Sequence, residues 1–417
     1  MTATIGGTTP AGFPFPDTTD QREFDAVCQV LRKKGPVVRV EMPDGLIAWV
    51  ITRYADGKRA MLDRRLVKDL RRMTDPAHGL GGNRYAEDAF VVEGRHMLNS
   101  DGSEHARLRA VVGAELSAAA INRRRPEIEQ VCRDLVAEFA NADTVDLMAV
   151  FARPVPEIVM ARVLGMPDET LRAAAVLSRE LGTRADPASA RMRKTYHDLL
   201  DIIIDSSRDP EDAPAGSILA ALHRAHADKI INKRELISTV MMLLGAGISS
   251  TAIGIGYGAI TAMHTTTALR QLLGDEDGAT AAVEELLRIH PPFPFSPWRF
   301  ALEPVRIQDV TIPAGAVVFV LLAAANHDAV DHDAALTDAA EFRPRRQRTS
   351  HLTFGHGPHF CVGAHLARAE IEIALRVLFA ELPDLCPAQP ENEIRWHGLL
   401  FDRTPTSVPV HPGGSAR

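Results

Sequence analysis

The sequence predicts a mainly α protein, one large helical unit that carries small β-sheets. Two observations point there. Apolar residues recur at helical spacing through most of residues 22–263. After residue 291 the character changes, and Pro, Val and Ile crowd into short runs separated by turn residues. No internal repeat or low-complexity linker divides the chain. The expectation is one domain over residues 13–412, with flexible ends at 1–12 and 413–417.

Taken in order, Arg22 to Lys33 is an amphipathic helix. "VEMPDGLIAWVITRY" reads as a hairpin turning at Pro43-Asp44-Gly45. Helices follow at 56–62 and 104–120, and another in "RRRPEIEQVCRDLVAEFA" with Pro126 near its first turn. Further helices are expected at 147–164, 167–182, 189–206, 215–226 and 233–263. Residues 70–95, containing "HGLGG", form a long irregular stretch of the kind used as a lid or binding loop. Short strands follow residue 291, residues 326–350 are polar and irregular, and a last helix runs from about Cys361 to Phe379.

With 417 residues, 46% of them hydrophobic, the chain builds a core without staples. Its 47 basic and 54 acidic residues give a net charge of −7, which argues against nucleic acid as the main partner. Four cysteines (Cys28, Cys132, Cys361 and Cys386) form no CxxC pair, so reduced thiols in a cytoplasmic protein are expected. The N-terminal residues lack a basic segment followed by an apolar one, so neither a signal peptide nor an anchor is expected. The most apolar window, 236–261, is broken by Gly, Ser and Thr and reads as a buried core helix, not a membrane span. Within it, "MMLLGAGISSTAIGIG" gives up helix stability at its glycines, about 1 kcal/mol each. Either a neighbour or a small ligand needs that space.

The strongest chemical signal is "HLTFGHGPHFCVGAHLARAE". Cys361 sits among glycines just before a helix, where unpaired N–H groups and the helix dipole favour a thiolate. Gly355, Gly357 and Gly363 let the backbone turn sharply beside something flat and large. A soft metal, above all haem iron, suits such a thiolate. Two other readings stand beside it. One is a buried cysteine acting as a small hydrophobe, and the other is a zinc site using His351, His356, His359 or His365.

The run Phe354-Gly355-His356-Gly357-Pro358-His359-Phe360-Cys361-Val362-Gly363, with Leu366-Ala367-Arg368, resembles the haem-binding loop of cytochrome P450 enzymes. The resemblance implies haem b on the Cys361 thiolate, shielding by Phe354, dioxygen as co-substrate, and a P450 fold. Other segments join it. Glu285 and Arg288 in "VEELLRIH" match the structural Glu-x-x-Arg motif, with Arg346 in "FRPRR" at the place of its third partner. Phe342-Arg343 replaces the usual Phe-Asp. His105 and Arg109 lie one helical turn apart. With Arg299 and His359 they resemble the family's haem-propionate partners. In "GAGISST", Gly247 resembles the glycine that gives dioxygen clearance, and Ser250 stands at the usual threonine. Ser249 stands where the family has an acid, and Thr251 takes the alcohol role if the register slips by one. A P450 must protonate dioxygen twice to insert oxygen, and serine does not titrate near neutrality. Proton delivery by ordered water or by the substrate is therefore expected, the other reading being that the serines only cap helix carbonyls at a bend.

"GAGISST" and "TSHLTFGHGPHFC" are also similar to bacterial P450s that act on cyclic dipeptides. That implies oxidation or oxidative coupling of a tryptophan-containing cyclic dipeptide. The alternative is a hydroxylase of another apolar metabolite such as a macrolide, terpene or steroid. The implied pocket includes Ala246, Ser250, Phe293, Phe295, Ser296, Phe401 and the 70–95 loop. Ferredoxin and its reductase are the implied electron donors to a monomer. Arg107 and the run Arg123-Arg124-Arg125 are either their docking site or a solvated face.

Overall fold

A computed structural model describes residues 20–42, 47–72, 95–182, 190–264, 267–328, 341–344, 350–398 and 403–414. The hairpin turn, Arg346, Phe401, the proposed terminal segments almost entirely, and residues 73–94 of the long loop lie outside them.

The chain opens with helix α1 (Gln21–Lys34), capped by the Asp20 side chain. Strands β1 (Val37–Glu41) and β2 (Ile47–Ile51) then pair antiparallel, with Val37 opposite Ile51. Helix α2 (Tyr54–Leu62) and the short β3 (Leu66–Val67) follow. The helix expected over 104–120 is two helices, α3 (Gly102–Gly113) and α4 (Ala118–Phe139). Ser117 makes the break: its hydroxyl accepts from the Ala120 N–H and starts α4 there. Pro126 consequently lies inside α4, not in its first turn. β4 (Val145–Asp146) and a π-helical turn (Met148–Ala152) lead into α5 (Pro154–Leu164).

Next come α6 (Asp168–Gly182), α7 (Ala190–Ser206) and α8 (Ile218–Ala227). They surround α9 (Lys233–His264), whose 32 residues run through the middle of the largest core cluster. By length and composition α9 passes for a membrane span, yet 56% of its most apolar window is buried inside the protein. It is the core helix expected. Its glycines answer to neighbours. A Cβ at Gly254 would fall 2.6 Å from Ile371, one at Gly256 2.6 Å from Met148, and one at Gly258 2.5 Å from Leu375. Small residues let the helices close up.

α10 (Thr267–Leu273) and α11 (Glu276–Ile289) precede the strand-rich part. There β5 (Arg299–Ala301) and β8 (Val317–Val320) join β1–β3 in a five-stranded sheet of order β1-β2-β8-β5-β3. β6 (Val305–Ile307) and β7 (Val310–Ile312) form a hairpin of their own. The short α12 (Leu322–Ala325) and the long α13 (Ala364–Glu381) complete the helices. β12 (Pro409–His411) pairs with both β4 and β9 (Cys386–Pro387) in a small sheet of order β4-β12-β9. β10 (Trp396–His397) pairs with β11 (Thr404–Pro405). Long helices around α9 with small peripheral sheets are the architecture the periodicity predicts.

Candidate functional site

The loop before α13 is shaped by two glycines. Gly355 and Gly357 each have φ 75°, a left-handed conformation that costs glycine little. A Cβ on Gly357 would also fall 2.5 Å from the Leu62 side chain. The loop ties itself down through Gly355 N–H to the Leu352 carbonyl (2.7 Å) and Cys361 N–H to the Phe354 carbonyl (2.8 Å). Cys361 is exposed and precedes α13 by three residues. Protein packed around its sulfur raises the thiol pKa; the Gly363 N–H, Arg109 and Arg368 pull it down without prevailing. The Gly363 N–H favours the thiolate, as the sequence suggests, while desolvation opposes the charge. A metal ion on the open face would complete the ionisation.

Behind the loop, the Arg368 guanidinium lies 4.3 Å from the Phe354 ring centroid. It donates twice to Glu284, at 2.5 and 3.0 Å. His351 approaches the same carboxylate at 3.4 Å. Burial would raise the Glu284 pKa, but His351 and Arg368 hold it at about 2. His351 is thus spent on Glu284. Among the described residues no three His, Cys, Asp or Glu side chains converge as a metal cage.

The predicted propionate partners come together from three segments. His105 on α3 is buried, and its Nε2 has no partner. Its ring lies 4.1 Å from that of His359. Arg299 opens β5, buried, with Nη1 donating to the Leu66 carbonyl at 3.0 Å. Burial draws its pKa down to about 10, opposed by Asp101 and Asp63. Arg109 is half-buried and forms no ion pair among the described residues. His359 Nε2 sits 3.7 Å from Asp101. Burial works against the Asp101 charge, yet His359 and the backbone N–H groups of Lys68 and Asp69 hold its carboxyl at about 2. Burial draws His359 down to about 4 and His105 below its ordinary value, which disfavours the charged imidazole in both. Cations and an orphaned imidazole nitrogen, set beside an open cysteine, fit a flat group that carries carboxylates on one edge.

One member of this set escaped the sequence reading. Lys68 is only 3% exposed, and its Nζ donates to the Pro297 carbonyl at 3.1 Å. In "RRLVKDLRR" it is one basic residue among many; only the fold reveals that this one points inward.

Glu285 and Arg288 are a buried bidentate pair, 2.8 Å on each arm. The Arg343 backbone N–H also donates to Glu285, at 2.9 Å, while the expected partner Arg346 lies outside the described residues. On α9, Ala246 is exposed and Gly247, Ser249 and Ser250 are half-buried. The side where Gly247 lacks a Cβ faces the Met160 methyl, so α5 takes that space. Ser250 Oγ donates to the Ala246 carbonyl at 2.7 Å and Thr251 Oγ1 to the Gly247 carbonyl at 3.0 Å. Thr251 is buried.

Of the expected pocket residues, Phe293 is half-buried. Phe295 packs edge-on against Phe319 in the core beneath the sheet, and the buried Ser296 hydroxyl accepts from the Val320 N–H at 3.0 Å. Both fasten the segment before β5. The expected docking arginines are mostly engaged. Arg107 pairs with Glu235 (2.6 Å), Arg124 with Glu127 (3.3 Å) and Arg125 with Glu372 (2.7 Å), while Arg123 is exposed.

Comparison with known proteins gives the same direction. A family model described as "Cytochrome P450" matches residues 279–409. The chain is 35% identical to cytochrome P450 107B1 of Saccharopolyspora erythraea over 384 residues, 91% of this chain and 93% of that one. It is 34% identical to the vitamin D(3) 25-hydroxylase of Pseudonocardia autotrophica, covering 92% of each. Among solved structures it is similar to the P450 enzyme CxnD, which forms a C–S bond in chuangxinmycin biosynthesis. That match has a TM-score of 0.89 and 26% identity, and covers 98% of this chain and 99% of that one.

Proposed function

The chain belongs to the cytochrome P450 family, and on that premise we propose that it oxidises an aromatic, largely apolar secondary metabolite. The proposed class is a tryptophan-containing cyclic dipeptide, and the proposed outcome is oxidative coupling without oxygen insertion. The family's haem, when bound, supplies the reductive activation of dioxygen. Cys361 would hold its iron, and His105, Arg109, Arg299 and His359 would hold its carboxylates. Phe354, half-buried beside Cys361 and backed by Arg368, keeps water from the sulfur. Electrons come from a ferredoxin and its reductase in the cytoplasm.

The observation that carries the reading is the state of α9. Ser249 replaces an acid, and the hydroxyl protons of Ser250 and Thr251 are committed to helix carbonyls. Neither can titrate near pH 7; each can accept a hydrogen bond from water or substrate. Without a side-chain acid at this point, a substrate N–H would serve as hydrogen source; loss of two such hydrogens to reductively activated dioxygen, which leaves as water, while one bond forms between the substrate atoms is coupling. The similarity to CxnD, a P450 of C–S bond formation, supports a bond-forming reading. The identity to the vitamin D(3) 25-hydroxylase favours a second reading, hydroxylation of an apolar polycyclic substrate.

Titration of the haem-loaded enzyme with tryptophan-containing cyclic dipeptides is expected to shift its Soret band. A flat response to that panel, with shifts from macrolides, terpenes or steroids, selects the hydroxylase. Ser250→Ala is expected to lower product per NADPH by up to roughly 100-fold, the low end of what a proton-handling group contributes. Unchanged coupling would remove Ser250 from proton handling.

A further inference from the structure

We propose that Lys68 is a fifth anchor of the haem, its ammonium group binding a propionate carboxylate beside Arg299. The inference rests on the haem-thiolate reading and adds a residue to it. Lys68 leaves β3 on the chain just before the long loop and turns its side chain inward, where 3% of the residue remains exposed. Its Nζ has one neutral partner, the Pro297 carbonyl at 3.1 Å, and lies 6.0 Å from the Trp298 ring centroid. An ammonium has three donors, so the carbonyl leaves it under-used. Its neighbours are Arg299, His105, His359 and Asp101, the set already assigned to the haem edge.

Charge counting gives the ligand. The inner set holds three cations, Lys68, Arg109 and Arg299, and one carboxylate, Asp101. The nearby acids are used elsewhere. Asp63 is bidentate to Arg65, and Asp69 and Glu104 pair with Arg71 and Arg95. Asp101 itself is held by two backbone N–H groups. The basic side chains of this set outnumber its one carboxylate, an excess that a propionate dianion would offset; burial and Arg299 draw the Lys68 pKa well below its ordinary value, and an anion beside it would restore its charge. Burying adjacent cations without an anion is costly; Lys68 beside Arg299 makes physical sense once a dianion sits between the segments.

The test measures haem transfer from the holoenzyme to excess apomyoglobin. Lys68→Met is expected to lose haem about 10-fold faster or more, the scale of one charge-assisted hydrogen bond, while Lys68→Arg stays near wild type. Loading with haem dimethyl ester, whose carboxylates are blocked, is expected to erase the difference between wild type and Lys68→Met. Equal loss rates with native haem, or a difference that persists with the ester, overturns the proposal. If Lys68→Met fails to fold, Lys68→Gln replaces it in both arms. The reduced, carbon-monoxide-bound spectrum of the wild type keeps the two ideas apart. A Soret band without the strong red shift of thiolate ligation would sink the P450 assignment whatever Lys68 does.

Discussion

Arg288→Ala is expected to yield a protein destabilised by about 3–5 kcal/mol, the cost of leaving a buried charge without its partner. Glu285 is fully buried, and both its oxygens are taken by Arg288 at 2.8 Å. Arg288 in turn reaches the Asn326 carbonyl at 3.0 Å and the Glu341 carbonyl at 3.4 Å. The pair therefore joins α11 to the chain after α12 and to the segment leading toward the cysteine loop. Removing the guanidinium strands a carboxylate and leaves two carbonyls short of a donor. Lysine cannot replace it, since one ammonium does not span four acceptors in a plane. Thermal unfolding followed by circular dichroism should show a loss of roughly 3–6 °C for a chain of this size. Glu285→Gln with Arg288→Met should cost less than Arg288→Ala alone, because no charge is then stranded. A melting temperature within about 1 °C of wild type would mean that the pair contributes only what a surface pair does.

That pair shows where the sequence is informative. Glu285 and Arg288 are readable as neighbours from spacing alone, and spacing alone makes them a modest surface contact. Their burial comes from α11 packing onto the core, which no local pattern reveals. The helices were legible because apolar periodicity is strong over long segments; the division at Ser117 was not, since a single capping hydroxyl outweighs the continuous pattern around it. The cysteine loop was legible because two left-handed positions demand glycine, and glycines are visible in a sequence. Lys68 was illegible because inward and outward lysines look alike. Gly247 was half legible: the need for space was plain, but the Met160 methyl claims the Cβ side. Phe295 and Ser296 lie beside the expected pocket in sequence, and the sheet turns both into its own support.

Glu370 offers the second large effect, and it is one of pH. Nine residues after Cys361 on α13, its side chain is 1% exposed and its Oε2 has no partner. Burial pushes its carboxyl from 4.5 up to about 8. Its neighbour Cys132 is also buried and its thiol pKa is raised by burial and by Glu370 itself, so the thiol stays neutral throughout. The sign follows from proton counting. Below about pH 4.5 the folded and unfolded chains both hold the proton, and Glu370 costs nothing. Between that point and about pH 8 the unfolded chain ionises while the folded chain keeps its proton. Stability then falls by about 1.4 kcal/mol per pH unit, and above the folded pKa it falls no further. The accumulated cost at pH 8 is on the order of 5 kcal/mol. Glu370→Gln removes the titration while keeping the shape. It is expected to melt near the wild-type temperature at pH 5 and several degrees above it at pH 8. The gap should open steadily between those values. Parallel pH profiles for the two proteins would show that a water or a relaxed side chain satisfies the carboxylate, and that Glu370 is ionised in the folded enzyme.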